Sequence, residues 1–343
     1  MLNKLINKQD LTQKEAEQLL IGIMDGQVTP VQAAAILIAL RMKGESVSEI
    51  VGFVKMMREK MLKIKAPSNA IDVCGTGGDA SNTFNISTAV AFVVAGVGVP
   101  VVKHGNRAAS SKSGSADVLQ ALGVNIQLTP EQAEDVLNKV GIVFLRTPFF
   151  HPSMKQVAMV RGELKIRTVF NFLGPFANPG SVKRQLIGVP NKDIAKKLAE
   201  VGRRLGYKHL IIVTSEDGLD EISTNAKTHV FEVKGKKIKK YTIDPQKYYS
   251  SSDPELAEGE SRSKETIRGG DAKENVFIIK NILEGKKGPK RDIVVLNSAV
   301  ALYVAGRVKN IQEGIHIASE SIDSKSAQRV LENLVKETRK YAK

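Results

Sequence analysis

The chain of 343 residues predicts an α/β protein: a small all-helical domain joined to a larger α/β domain whose central sheet is mostly parallel. Three observations predict it. Helix-start signatures crowd the region before Pro67, strand-like apolar runs alternate with helical patterns beyond it, and the first of those runs ends in a glycine-rich turn.

The helical unit comes first. Thr12-x-x-Glu15, Thr29-Pro30-x-Gln32 and Ser46-x-x-Glu49 each place a hydroxyl three positions before a Glu or Gln, the pairing that satisfies two orphan amides at a helix start. Each opens a segment with apolar residues at helical spacing: Leu19, Leu20, Ile23; Ala34, Ile36, Leu37, Leu40; Ile50, Phe53, Val54. A helical domain over residues 1–66 follows. Its apolar faces are richer than one small unit needs, which leaves Leu19, Ile23, Ile36 and Leu40 open either to monomer core or to a subunit interface.

Strands are expected near residues 70–74, 99–103, 141–145 and 210–214, alternating with helices and so building a largely parallel sheet with right-handed crossovers. Residues 153–179 are expected to pack back on the helical unit, leaving 67–152 and 180–343 as the α/β domain. Arg268–Ala272 (RGGDA) and the Gly/Lys stretch 284–290 read as turns before closing helices, and the lysine cluster 234–240 as a hairpin turn.

The first strand runs into Cys74-Gly75-Thr76-Gly77-Gly78-Asp79, and residues 87–97 have the Ala/Val/Phe content of a buried helix. Asn85, Ser87 and Thr88 stand where N-caps stand. The unpaired N–H groups of such a helix start carry about half a positive charge, and glycines let backbone approach an anion, so a phosphate group fits here. Gly75-Thr76-Gly77-Gly78-Asp79-Ala80 also satisfies the dinucleotide pattern G-x-G-x-x-G/A. In that fold, however, the helix opens inside the motif and an acidic residue closes the next strand, whereas here the caps come later and the next strand ends in Lys103 and His104. The pattern G-x-x-x-x-G-K-[ST] is absent. The second strand leads into KHGNRAASSKSGSAD, in which Lys103, Arg107 and Lys112 supply charge and Ser115 and Asp117 are candidate caps.

Asp72-x-x-Gly-Thr-Gly-Gly-Asp79, Asn85-Ile86-Ser87-Thr88, Lys103-His-Gly-Asn-Arg107 and Ser113-Gly-Ser-Ala-Asp117 together resemble the anthranilate phosphoribosyltransferase family. Arg161–Thr168 (RGELKIRT), Asn171–Pro179 (NFLGPFANP) and Asp217–Ser223 (DGLDEIS) resemble its later signatures, and the likeness runs from about Leu11 to about Val335. The resemblance implies a nucleoside phosphorylase-like phosphoribosyltransferase fold and transfer of phosphoribose from 5-phosphoribosyl 1-pyrophosphate to the amino group of anthranilate. Pyrophosphate leaves, in the second step from chorismate to L-tryptophan. Carried over residue by residue, it implies donor contacts at Gly75, Gly78, Asp79, Thr83, Asn85, Ile86, Ser87, Thr88, Lys103, Asn106, Arg107, Ser111 and Ser115. The implied anthranilate residues are Gly75, His104, Asn106, Arg161 and Pro175. Ser87, Asp220 and Glu221 would hold Mg²⁺, with two ions implied, one of them on the donor pyrophosphate. A homodimer through the helical domain is implied too. The chain departs from the family pattern at Ala80 and Lys165, where glycine is common, and at Ser324-Lys325 in place of Gly-Lys. Related alternatives are a nucleoside phosphorylase of similar fold, which should lack the Lys-His-Gly-Asn-Arg and Asn-x-x-Gly-Pro signatures, and a noncatalytic nucleic-acid-binding relative, which should have lost Asn106 or Arg161.

The implied roles are chemically coherent. A pyrophosphate leaving an anomeric carbon gathers negative charge while the ribose turns cationic, so electrostatics and positioning should supply most of the rate. Mg²⁺ takes one or two carboxylates plus phosphate oxygens, as adjacent Asp220 and Glu221 can offer, although two such carboxylates otherwise read as a solvated loop. Arg161 can grip a carboxylate bidentately. Because an aniline is uncharged and already nucleophilic at neutral pH, no general base is assigned; His104 reads equally as a pocket liner.

Composition bounds the rest. A net charge of +15 attracts anions in general, but near the densest lysine cluster Tyr241 is the lone aromatic, so a nucleic-acid role is not expected. The single Cys74 forbids an intramolecular disulfide and suits a reducing cytoplasm; beside the glycine turn it reads as a small buried filler rather than a nucleophile. No apolar run is long enough for a membrane span, and the first residues lack a signal-peptide stretch, so a cytoplasmic enzyme is expected.

Overall fold

The computed structural model describes residues 1–77, 81–108, 112–249 and 264–342. All three capping boxes form: Thr12, Thr29 and Ser46 accept from the amides of Glu15, Gln32 and Glu49, whose side chains reach back to the cap amides. The helices Gln13–Met24, Pro30–Lys43 and Val47–Lys60 follow from them. Helix Lys155–Leu164 packs on the first two and helix Phe170–Phe176 on the third. Lys165, which ends Lys155–Leu164, sits at φ +52°, a left-handed conformation in which glycine would be at ease and a lysine carries some strain.

Leu19, Ile23, Ile36 and Leu40, candidates for a subunit face, are all buried within the chain. They pack in one core with Val157, Val160 and Phe172, because the returning segment covers the face that the first helices leave open. The apolar side chains that helix Pro30–Lys43 does expose are Val31, Ile38 and Met42.

Seven strands form one sheet: β1 Ile71–Gly75, β2 Val101–Gly105, β3 Ile142–Arg146, β4 Arg184–Gly188, β5 His209–Ser215, β6 Thr228–Lys234 and β7 Lys237–Ile243. Their order is β3-β2-β1-β4-β5-β6-β7, parallel from β3 to β5 and antiparallel beyond. Both faces of the sheet are covered. On β5 the side chains alternate between two cores, Leu210 and Ile212 on one, Ile211 and Val213 on the other, which is why the strand reads as an unbroken apolar run. The lysine cluster forms the turn and edge: Lys237, Lys239 and Lys240 stand exposed on β7, where charge discourages pairing with another sheet.

The chain moves from β1 to β2 on one side while β4 lies on the other. Loops leaving β1 and β4 therefore diverge, opening a crevice at the carboxyl ends of the strands. Gly75, Gly105 and Gly188 end three adjacent strands at this rim. Helix Ile86–Gly96 starts there with Asn85 as its N-cap, although the Asn85 side chain makes no capping bond. Helix Ser115–Ala121 is capped by Gly114 rather than by Ser115 or Asp117: the Asp117 carboxylate reaches back to the Gly114 amide at 2.9 Å.

Candidate active site

Two cavities meet at this rim. The first, about 390 Å³, is polar and is walled by Gly75, the start of helix Ile86–Gly96, the ends of β2 and of the loop after it, and the Asp220-Glu221 pair. Glycine is obligatory where these parts touch, because a Cβ on Gly75 would lie 2.5 Å from Asp220 Oδ2 and one on Gly188 only 1.4 Å from the Asp220 carbonyl. The Gly77 amide donates to Asp220 Oδ2 at 2.9 Å, so the glycine turn and the acidic loop are fixed to each other.

Lys103 enters from the floor. It is 3% exposed, and its ammonium donates to the Val73 carbonyl at 2.8 Å and to Ser87 Oγ at 3.2 Å. Burial pushes its pKa down, opposed by the nearby Asp72, Cys74 and Glu221. Asp72, fully buried behind it, is pushed up to about 6 by burial, with Lys103 and the Asn178 amide pulling the other way. Cys74 is half-buried and lines the polar cavity, so it is not the fully buried filler expected of it; burial around its thiol nonetheless pushes its pKa well up, which opposes a nucleophile.

The second cavity, about 450 Å³, is mostly apolar, bounded by Met57, Pro148, Met154 and Phe170. Arg161 stands in its wall with its guanidinium 5.7 Å from the Phe170 ring centre. No carboxylate among the described residues pairs with Arg161, and burial alone lowers its pKa. Asn106 lines both cavities.

His104 borders the polar cavity, and its Nδ1 faces the Gly174 carbonyl at 3.2 Å. A carbonyl can only accept, so Nδ1 carries the proton. Its Nε2 lies 3.2 Å from Thr147 Oγ1, and the ring of His151 is 5.2 Å away. Burial first, then His151, holds His104 down to about 3, and burial holds His151 down to about 4. Both rings are therefore neutral at physiological pH. Below pH 6.5 the unfolded chain takes up protons that the folded one refuses, so stability is full above that pH and drains as pH falls toward 4. Asp72, held up at about 6, works in the opposite direction below that pH, so the share is read by difference: from about pH 6.5 to about pH 4.5, His151→Gln should lose about 1.4 kcal/mol less per pH unit than wild type in melts of the two proteins.

Of the residues expected in the site, Gly75, Thr83, Asn85, Ile86, Ser87, Lys103, His104, Asn106, Arg107, Ser115, Asp220 and Glu221 line the polar cavity. Gly78, Asp79 and Ser111 lie outside the described residues. Thr88 does not reach the cavity: two positions beyond Ile86 the helix has turned its side chain inward, where it is 1% exposed with its hydroxyl unpaired. Pro175 is buried inside helix Phe170–Phe176, its carbonyl taken by Gln185 at 2.8 Å, and Gly174 forms the wall of the apolar cavity instead. Gly75 borders the polar cavity but not the apolar one, and Arg107 is tied back by Asp117 at 3.5 Å and Gln120 at 2.8 Å.

Among the residues at the site for which the sequence predicted no role are Arg167, Asn171 and His151. Arg167 donates to the Gly77 carbonyl at 2.7 Å and, with Asn171, lines the polar cavity; both sit within the quoted signatures, which was the available signal. His151 lines the apolar cavity, and only its rarity, as one of five histidines, marked it.

Residues 67–328 match the family model described as glycosyl transferase family, a/b domain, and residues 1–61 match its helical bundle domain. An anthranilate phosphoribosyltransferase of Symbiobacterium thermophilum is 47% identical over 97% of this chain and 96% of its own length. The chain belongs to the anthranilate phosphoribosyltransferase family. Another relative of that name, from a Thermoanaerobacter species, is 50% identical over 94% of this chain and 93% of its own. Among solved structures, the anthranilate phosphoribosyltransferase of Thermus thermophilus has a TM-score of 0.89 at 37% identity, covering 98% of this chain and 99% of that one. The Saccharomyces cerevisiae enzyme in complex with PRPP and Mg has a TM-score of 0.88 at 28% identity, covering 99% of this chain and 97% of that one. Among the described residues of this family member, no helix is long and apolar enough to cross a membrane.

Proposed function

We propose that the protein transfers the phosphoribosyl group of 5-phosphoribosyl 1-pyrophosphate to the amino group of anthranilate, releasing pyrophosphate. The observation that carries this is the meeting of the two cavities at Asn106: one is polar and cationic, the other apolar with an Arg161 that lacks a carboxylate partner. A phosphorylated sugar suits the first and an aromatic acid the second. The Saccharomyces cerevisiae relative has been solved in complex with PRPP and Mg and in complex with 4-fluoroanthranilate, ligands of both kinds. No observation favours a nucleoside phosphorylase or a nucleic-acid-binding role.

In this reading Lys103 receives the charge that develops on the leaving pyrophosphate, aided by the positive end of helix Ile86–Gly96, whose Asn85 and Ile86 amides are themselves taken by Asn275 and the Phe84 carbonyl. Arg161 orients anthranilate through its carboxylate, and the apolar walls exclude water. The C1–oxygen bond to pyrophosphate breaks, the bond from C1 to the anthranilate nitrogen forms, and the nitrogen then releases a proton. His104, neutral with its Nδ1 proton held by the Gly174 carbonyl, lines the pocket and is not needed as a base.

The donor set fits Mg²⁺. Ser87, Asp220 and Glu221 would offer it oxygen atoms on one cavity, and no group of three or more His, Cys, Asp or Glu among the described residues forms a closed cage. Such an ion, when bound, neutralises pyrophosphate oxygens; two ions fit the charge of the donor, one of them carried in on its pyrophosphate. Residues 1–66 with 153–179 act as the helical domain and residues 67–152 with 180–343 as the α/β domain of a cytoplasmic enzyme.

The protein also pairs with a second copy through helix Pro30–Lys43, where Val31 and Met42 are 80% and 81% exposed and Ile38 lies between them. Sedimentation should find a dimer that Met42→Glu converts to monomer; a wild-type monomer would exclude the interface. The activity itself is tested by mixing protein, Mg²⁺, donor and anthranilate and following anthranilate fluorescence. Its loss is expected, and a folded protein that leaves it unchanged would refute the function.

A further inference from the structure

We propose that Asn275, supported by Gly269, is a positioning residue for the phosphoribosyl-donor pocket: it holds in place the segment that carries Thr83 and Asn85 into the polar cavity. The inference rests on the donor assignment above and concerns residues that do not themselves line that cavity.

The run Arg268–Ala272 reads in the sequence only as a turn, yet the structure gives it a definite partner. Residues 267–269 lie antiparallel to residues 82–84: Thr83 bridges to Arg268, the Phe84 amide donates to the Ile267 carbonyl at 3.2 Å, and the Gly269 amide donates to the Asn82 carbonyl at 2.9 Å. Gly269 permits this approach, since a Cβ there would stand 2.5 Å from the Phe84 Cα and 2.7 Å from its nitrogen. Both are backbone atoms, which cannot swing aside as a side-chain end can.

Asn275 completes the strut. It is 1% exposed, in the first turn of helix Ala272–Leu283, and its Oδ1 accepts the amide of Asn85 at 3.1 Å. Its Nδ2 donates to Ser113 Oγ at 2.9 Å, to the Gly270 carbonyl at 2.9 Å and to the Asp271 carbonyl at 2.8 Å. One buried carboxamide thus joins the N-cap residue of helix Ile86–Gly96, the loop after β2 and the RGGDA turn. The Asn85 amide has its acceptor in this side chain, and only a side chain with both donor and acceptor at one end can serve that amide together with Ser113 and the two carbonyls of the turn. Thr83, Asn85 and Ser113 all face the polar cavity. Because a displacement of about 1 Å in such a shell costs up to about a hundredfold in rate, the strut matters to donor binding while remaining out of reach of the donor.

The test is steady-state kinetics on Asn275→Ala and Gly269→Ala, with thermal melts to verify folding. The expected result is a KM for the donor raised about tenfold in each variant, while the KM for anthranilate at saturating donor stays within about twofold. A purely structural role would lower melting temperature and active fraction without separating the two constants. If Asn275→Ala does not fold, Gly269→Ala decides, since its methyl meets the Phe84 backbone and Asn275 Oδ1 and so displaces the same strut. A folded variant whose donor KM matches wild type, or whose two KM values rise in parallel, overturns the inference. Wild-type protein that binds no donor would instead defeat the functional reading, so the two failures are distinguishable.

Discussion

Lys103→Met is expected to lower kcat/KM by about a thousandfold while the protein stays folded. The ammonium is nearly inaccessible, fixed on the Val73 carbonyl and Ser87, and lines the cavity beside Asp220 and Glu221. A fixed donor aimed at developing charge in a site shielded from water contributes about 3–4 kcal/mol to a transition state, which is the source of the figure. Methionine keeps the unbranched volume and removes the charge. Removing that charge takes away the chief influence holding down the pKa of Asp72, which already lies at about 6, so the carboxyl moves further up and protonates rather than being left as a buried unpaired anion. Steady-state kinetics and a melting curve check the prediction together. A variant that retains activity within about tenfold of wild type would remove Lys103 from the chemistry.

Arg161→Ala is expected to raise the KM for anthranilate by about a hundredfold with the affinity for the donor unchanged. The side chain stands against Phe170 in the apolar cavity, desolvated and with no carboxylate partner among the described residues. A carboxylate arriving there gains a charge-assisted, bidentate contact, and truncating one partner of such a pair costs about 2–5 kcal/mol. Arg161→Lys should recover only part of the loss, since a point charge cannot form the fork. Calorimetric titration of the donor beside kinetics in anthranilate separates the two effects. Equal damage to both substrates would show that Arg161 supports the fold of the cleft rather than the acceptor.

Much of this architecture was legible because its signals are local. Three capping boxes named three helices, and alternating apolar runs named β1, β2, β3 and β5 to within about two residues. β4 gave no signal: Arg184–Gly188 is five residues long, begins with a charge and ends in glycine, and its place in the centre of the sheet is set by pairing with β1 and β5. The direction of side chains was less readable than their position. Thr88 and Pro175 sit in the right signatures, but rotation along one helix and burial inside another turn them from the cavities, with Gly174 taking the place expected of Pro175. Tertiary closure decided the rest. Leu19 and Ile36 look available to a second subunit in the sequence, whereas the segment around Val157 and Phe172 covers them in the fold. Asn275 bore no motif at all, because its function lies in which distant amides it reaches.

Everything proposed for this protein depends on the polar cavity between Gly75, Lys103 and Asp220 holding the sugar pyrophosphate. Diffraction from crystals soaked with 5-phosphoribosyl 1-pyrophosphate and Mg²⁺ tests it most directly. The expected density places the pyrophosphate against Lys103 and the start of helix Ile86–Gly96, a cation beside Asp220 and Glu221, and the ribose C1 turned toward Asn106. Donor density in any other part of the molecule, with this cavity empty, would contradict it.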